Sequence, residues 1–161
     1  CGTGAQPCAL TLLEGFAALS LVAFVGTLNP SGGDVSVISD LVAETPTAFH
    51  VFAGSSATFY AALCMGASGG IFALSGVVPD ACVLLYQLVR RQRHEEARAL
   101  QRRLLPLGRL LGNAYGVAGL KAALRLLGFD VGPPRPPLMP VPPSGVEALR
   151  EALAQLQEIP A

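Results

Sequence analysis

Gly66-Ala67-Ser68-Gly69-Gly70-Ile71-Phe72-Ala73-Leu74 is a glycine-marked turn running into a short apolar strand, read as residues 70–74, and it decides the fold. Just upstream, residues 49–53 read as another strand, closed by Gly54-Ser55-Ser56, and a helix through Phe59, Ala62, Leu63 and Met65 leads from it to Gly66. Earlier still, residues 21–25 are wholly apolar and suit a strand buried on both faces. Asn29-Pro30-Ser31-Gly32-Gly33 is a loop by composition. Asp34 then offers an N-cap to a helix carrying Val37, Ile38, Leu41 and Val42, with Pro46 as its stop. Residues 10–19 read as an apolar helix. Three strand-then-helix units in succession imply a parallel sheet with right-handed crossovers, as in α/β barrels and doubly wound sheets. In both, function sits where strands run into loops.

After Pro79 the pattern is helical only, with apolar residues recurring at three and four over residues 80–93, 95–111 and 116–127. The charged stretch from Arg90 to Glu96 reads as a solvated turn between helices. Residues 132–143 are a Pro-rich extended segment, and Ser144 is expected to cap a last amphipathic helix over residues 146–156. The expected division is a sheet-bearing part, 1–78, and a helical part, 79–157.

Composition narrows the function. Eleven basic and eleven acidic residues cancel, so no field favours nucleic acid or an anionic surface. Hydrophobic residues at 52% are ample for a packed core. The four cysteines, Cys1, Cys8, Cys64 and Cys82, show no C-x-x-C pair and are expected to be reduced thiols in an intracellular compartment. Residues 9–28 approach the roughly 20 apolar residues a bilayer span requires, but Glu14 is costly in hydrocarbon and Gly15, Ser20 and Gly26 break the run, so no membrane span is expected. The chain opens on Cys1 with no leader pattern, and an expectation of truncation at the front follows. Two histidines and scattered acids show no metal-ligand spacing. Gly66 to Gly70 precedes a strand, whereas a phosphate cradle follows one, so neither metal nor cofactor is expected.

The ordered set Ser31-Gly32-Gly33-Asp34, Val51-Phe52-Ala53-Gly54-Ser55, the stretch from Gly66 to Leu74, Gly119-Leu120-Lys121-Ala122-Ala123-Leu124 through Gly128, and Gly132-Pro133-Pro134-Arg135-Pro136-Pro137-Leu138 resembles the dihydrodipicolinate synthase and N-acetylneuraminate lyase superfamily, within it the mitochondrial 4-hydroxy-2-oxoglutarate aldolase branch. The resemblance covers most of residues 31–138. It implies part of a TIM (β/α)8 barrel, the three strands being its sixth, seventh and eighth, followed by a C-terminal helical region. It also implies class I aldolase chemistry on a small 2-oxo acid, with cleavage of 4-hydroxy-2-oxoglutarate to pyruvate and glyoxylate, a homotetrameric assembly and a mitochondrial location. A full barrel takes about 250 residues, so a chain of 161 cannot close one alone.

In that family a lysine near the end of the sixth strand condenses with the ketone, and the protonated imine stabilises the carbanion left by carbon–carbon cleavage. Here the corresponding loop reads Gly26-Thr27-Leu28-Asn29-Pro30-Ser31, which puts Asn29 or Leu28, depending on the end from which it is aligned, at the lysine position. Neither carries an amine. Lys121, the single lysine of the chain, falls in a helix that the resemblance places outside the barrel mouth, and is expected to be solvated or helix-capping. What the resemblance keeps is a binding floor: Ser31 at the end of strand six, Gly54 at the end of strand seven, and Ile71 on strand eight with its backbone facing the oxo acid. His50 is expected to be structural, and Tyr60, Tyr86 and Tyr115 to be packing residues.

Overall fold

The computed structural model describes residues 33–46 and 49–157. The expected helix at 10–19, the strand at 21–25, and Leu28, Asn29 and Ser31 lie outside the described residues.

Helix α1, Val35–Glu44, begins where the sequence predicts, because the Asp34 carboxylate accepts from the Ser36 amide at 2.8 Å and so satisfies an N-terminal donor. A bond from the Ser36 hydroxyl, with the amide bond second to it, holds the Asp34 carboxyl below its ordinary value. The helix buries Ile38 and ends at Thr45, whose amide and hydroxyl both donate to the Leu41 carbonyl ahead of Pro46.

Strand β1, Phe52–Ala53, pairs in parallel with β2, Gly69–Gly70, with Phe52 opposite Gly69 and Ala53 opposite Gly70. Two further bonds lengthen the ladder, Ser68 N to Val51 O at 2.7 Å and Ile71 N to Ala53 O at 2.8 Å. The glycine pair is required by aromatic packing on the sheet. A Cβ on Gly70 would stand 2.3 Å from the Phe72 ring and 2.9 Å from Phe59, and those rings meet edge to face with centroids 4.8 Å apart. The strand expected over 70–74 is therefore shorter and earlier than predicted: Gly54 leaves the ladder, and a 3-10 turn, Ala73–Gly76, takes over, with the Ser75 hydroxyl and amide both donating to the Phe72 carbonyl.

Helix α2, Phe59–Cys64, closes on Gly66 in the left-handed region at φ 105°, with Ala67 N bonding Ala62 O and Gly66 N bonding Leu63 O, the Schellman arrangement. Helices α3, Pro79–Arg90, and α4, His94–Arg109, match the predicted elements to within a few residues. The charged turn between them is exposed, and there Gln92 takes the left-handed cap at φ 59°. Pro106 interrupts the α4 ladder, and the helix runs on into a wide turn, Leu110–Ala114, closed by Tyr115 N to Leu110 O at 3.0 Å. Helix α5, Gly116–Leu126, and helix α6, Pro143–Gln157, complete the chain. Ser144 is not the cap of α6. Its first carbonyl acceptor is Pro142, which takes the amides of Gly145 and Val146, while Pro143 with its preset φ opens the helix and leaves Ser144 inside the first turn.

The core is one cluster that joins Ile38, Val51, Ala53 and Leu74 of the sheet side to Leu85, Leu104, Leu107 and Leu149 of the helices. Among the described residues no helix is long and apolar enough to cross a membrane.

Candidate functional site

A cavity of about 600 Å³ opens where both strands run out. One wall is the loop after β1, Gly54 to Ala57. A second is the chain after β2, Ile71 to Ser75, and the lid side comes from Gly108 to Asn113 and the first turns of α5. Gly54 and Ile71, two of the three floor residues expected from sequence, thus lie together at one cavity; the third, Ser31, is outside the described residues. Ile71 needs a correction. It lies one residue beyond β2, it is 54% exposed, and its amide is committed to Ala53 O, so only its carbonyl remains for a ligand.

The β1 loop is held from α4 by a residue that sequence reasoning missed. Gln101 is 8% exposed, and its amide group donates to Ser56 O at 2.9 Å while its carbonyl accepts from Tyr60 N at 3.1 Å. A loop carbonyl and a helix-start amide are satisfied by one side chain, which fixes the cavity wall. Gly108, one wall further on, lets α4 approach the loop: a Cβ there would stand 2.7 Å from Ser56 Oγ. The signal was present as a lone glutamine in the apolar seam Ala97, Leu100, Leu104, Leu107, a polar residue where periodicity demands an apolar one.

Lys121 stands elsewhere. Its ammonium donates to Val131 O at 2.8 Å and Pro133 O at 3.1 Å, tying α5 to the start of the Pro-rich segment beside a separate cavity of about 280 Å³. It is absent from the lining of the strand-end cavity. His50 is exposed and sits 3.2 Å from Ser68 Oγ, and Tyr115 packs on Gly119 and Gly145. Tyr86 lies against the core, and Tyr60 hydrogen-bonds His94 at 3.3 Å. Cys64 and Cys82 are free thiols; burial pushes Cys82 up to about 11, and Cys64 is exposed. Among the described residues no group of three or more metal-ligating side chains gathers.

Parallel strands feeding a cavity at their carboxyl ends, with helices packed around it, are the arrangement of an α/β barrel-type enzyme scaffold. The chain belongs to the dihydrodipicolinate synthetase family, whose model matches residues 7–156. It is 33% identical over 135 residues to a 4-hydroxy-tetrahydrodipicolinate synthase of Exiguobacterium sp., covering 84% of this chain and 46% of that protein. A protein of the same description from Symbiobacterium thermophilum is 38% identical over 122 residues, 76% of this chain and 42% of that one. The solved structure of the 4-hydroxy-tetrahydrodipicolinate synthase from Methylacidiphilum fumariolicum SolV superposes with a TM-score of 0.71 at 32% identity, over 79% of this chain and 42% of that chain. The chain therefore spans less than half the length of these relatives. The likenesses establish the family and leave the aldolase branch within it to be argued from the site.

Proposed function

We propose that this chain supplies the carboxyl-terminal part of a 2-oxo-acid site on a (β/α)8 frame, with β1 and β2 as its seventh and eighth strands, and that the chain itself binds the oxo acid without forming an imine. The observation that carries the second half is the engagement of its single lysine: Lys121 Nζ is spent on the carbonyls of Val131 and Pro133, away from the strand ends. An imine needs a primary amine beside the ketone, free to attack its carbonyl carbon, and the Lys121 amine lies outside the lining of the strand-end cavity, tied to the Pro-rich segment instead. Supporting the first half, Gly54 and Ile71 meet at the cavity, and the glycine leaves room for a ligand to approach backbone. Ser31 joins that floor in the same proposal, with Asn29 or Leu28 where the lysine of an active relative stands.

In a lysine-bearing relative the protonated imine would draw the electron pair of the breaking carbon–carbon bond, and the aldolase branch would split 4-hydroxy-2-oxoglutarate into pyruvate and glyoxylate with no metal. Self-association and a mitochondrial location belong to the same reading, on the resemblance alone. The test is titration of the chain with pyruvate, followed by amide chemical shifts. The reading expects movements concentrated at residues 54–57 and 71–75. Movements confined to the Lys121 cavity, or none, would contradict it.

A further inference from the structure

We infer that Arg109, with Asn113, forms an anion-recognising wall of the strand-end cavity and selects a ligand that carries a carboxylate beyond its oxo-acid end, a dicarboxylate rather than a monocarboxylate. The inference rests on the oxo-acid reading only for the identity of the ligand's other end.

Among the described residues Arg109 is the single ionisable residue lining that cavity, and no acidic side chain joins it there. Its guanidinium takes no ion pair or hydrogen bond among the described residues, so the charge is available to a ligand. Asn113 follows four residues later on the wide turn, where the backbone bond from Tyr115 to Leu110 spans five residues and sets both side chains along one rim. Between them, a Cβ on Gly112 would meet nothing within 4 Å, so space is open at the rim. Arg109 and Asn113 both also border a second cavity of about 550 Å³ between α4 and α6, but Glu151 lines that one and its carboxylate disfavours an anion. Charge complementarity thus points the ligand's carboxylate to the strand-end side. An arginine fork matches a carboxylate with two parallel hydrogen bonds, and an amide from Asn113 can add a third donor.

The probe is glutarate, a dicarboxylate without a ketone, titrated calorimetrically into the whole chain alongside pyruvate. The expected result is glutarate binding that weakens at least tenfold in Arg109→Met, which keeps the apolar stem, and recovers in part in Arg109→Lys. Equal glutarate affinity in Arg109→Met and the unaltered chain would overturn the inference, as would no glutarate binding to the unaltered chain, and pyruvate binding would stand in either case if the oxo-acid reading is right. Arg109-dependent glutarate binding without any pyruvate binding would sustain the anion wall and sink the oxo-acid reading. Should Arg109→Met fail to fold by circular dichroism, Asn113→Asp reads the same wall: a negative charge four residues on is expected to weaken glutarate at least tenfold, and unchanged affinity would refute it.

Discussion

The sheet side and the helical side of this molecule hold their shape by different means. From Val51 to Val77 two strands of two residues each are fixed by glycines pressed on aromatic rings and by a tie from another element, whereas from Pro79 onward long apolar seams and left-handed caps suffice locally. A sheet this short cannot position a cavity on its own ladder. The wall of the site is therefore borrowed from the helical side, through Gln101 and Gly108 on α4. The site inherits its order from packing that lies outside it.

The comparison breaks most severely if the shared core is emptied. Leu107 is fully buried at the junction of the two sides, and Leu107→Ala is expected to lose about 2–5 kcal/mol in urea unfolding, with sheet-side and helix-side probes melting together. Separate transitions would show that the sheet side stands alone. A sharper cut is Gln101→Leu, which leaves the part-buried Tyr60 amide and Ser56 carbonyl without their side-chain partner. The expected cost is about 1–3 kcal/mol, with faster hydrogen exchange at Tyr60 than at the α3 amides. Uniform exchange across both sides would contradict the tie.

On the helical side, Gln92→Gly removes a side chain from a left-handed cap at φ 59°. A gain of about 1 kcal/mol in thermal unfolding is expected, with no change in the exchange rates of the cavity loop. A last effect is confined to high pH. The folded Cys82 thiol is pushed from an ordinary 9.0 to about 11, so the folded state keeps a proton that the unfolded chain has lost. Stability from this group is whole below pH 9 and falls as pH rises towards 11; in Cys82→Ala that part of the pH slope, followed by denaturant midpoints, is expected to flatten.

Much of the fold was legible because its signals are local. Asp34 and Pro46 bracket α1, Pro79 opens α3, and Gly66 ends α2 through a positive φ that other residues resist. The eighth-strand reading ran too far, because β2 is only as long as its partner, and partner length is a non-local fact. Ser144 misled for a related reason: a good capping side chain lost to two prolines whose fixed φ starts the helix earlier. At the site, motif order was enough to put Gly54 at a strand end and Lys121 away from it, and Gln101 showed only as a polar break in an apolar seam, while Arg109 and Asn113 were not readable. In a helical pattern those two look like ordinary polar positions, and only the tertiary approach of α4 to the strand ends reveals what they face.

The central claim is that Lys121, the single lysine of the chain, does not stand where an imine must form. Incubation of the purified chain with pyruvate and borohydride, followed by intact-mass and peptide-mass analysis, tests it directly. The account predicts an unmodified chain with Lys121 intact; a reduced pyruvyl adduct on Lys121 would contradict it.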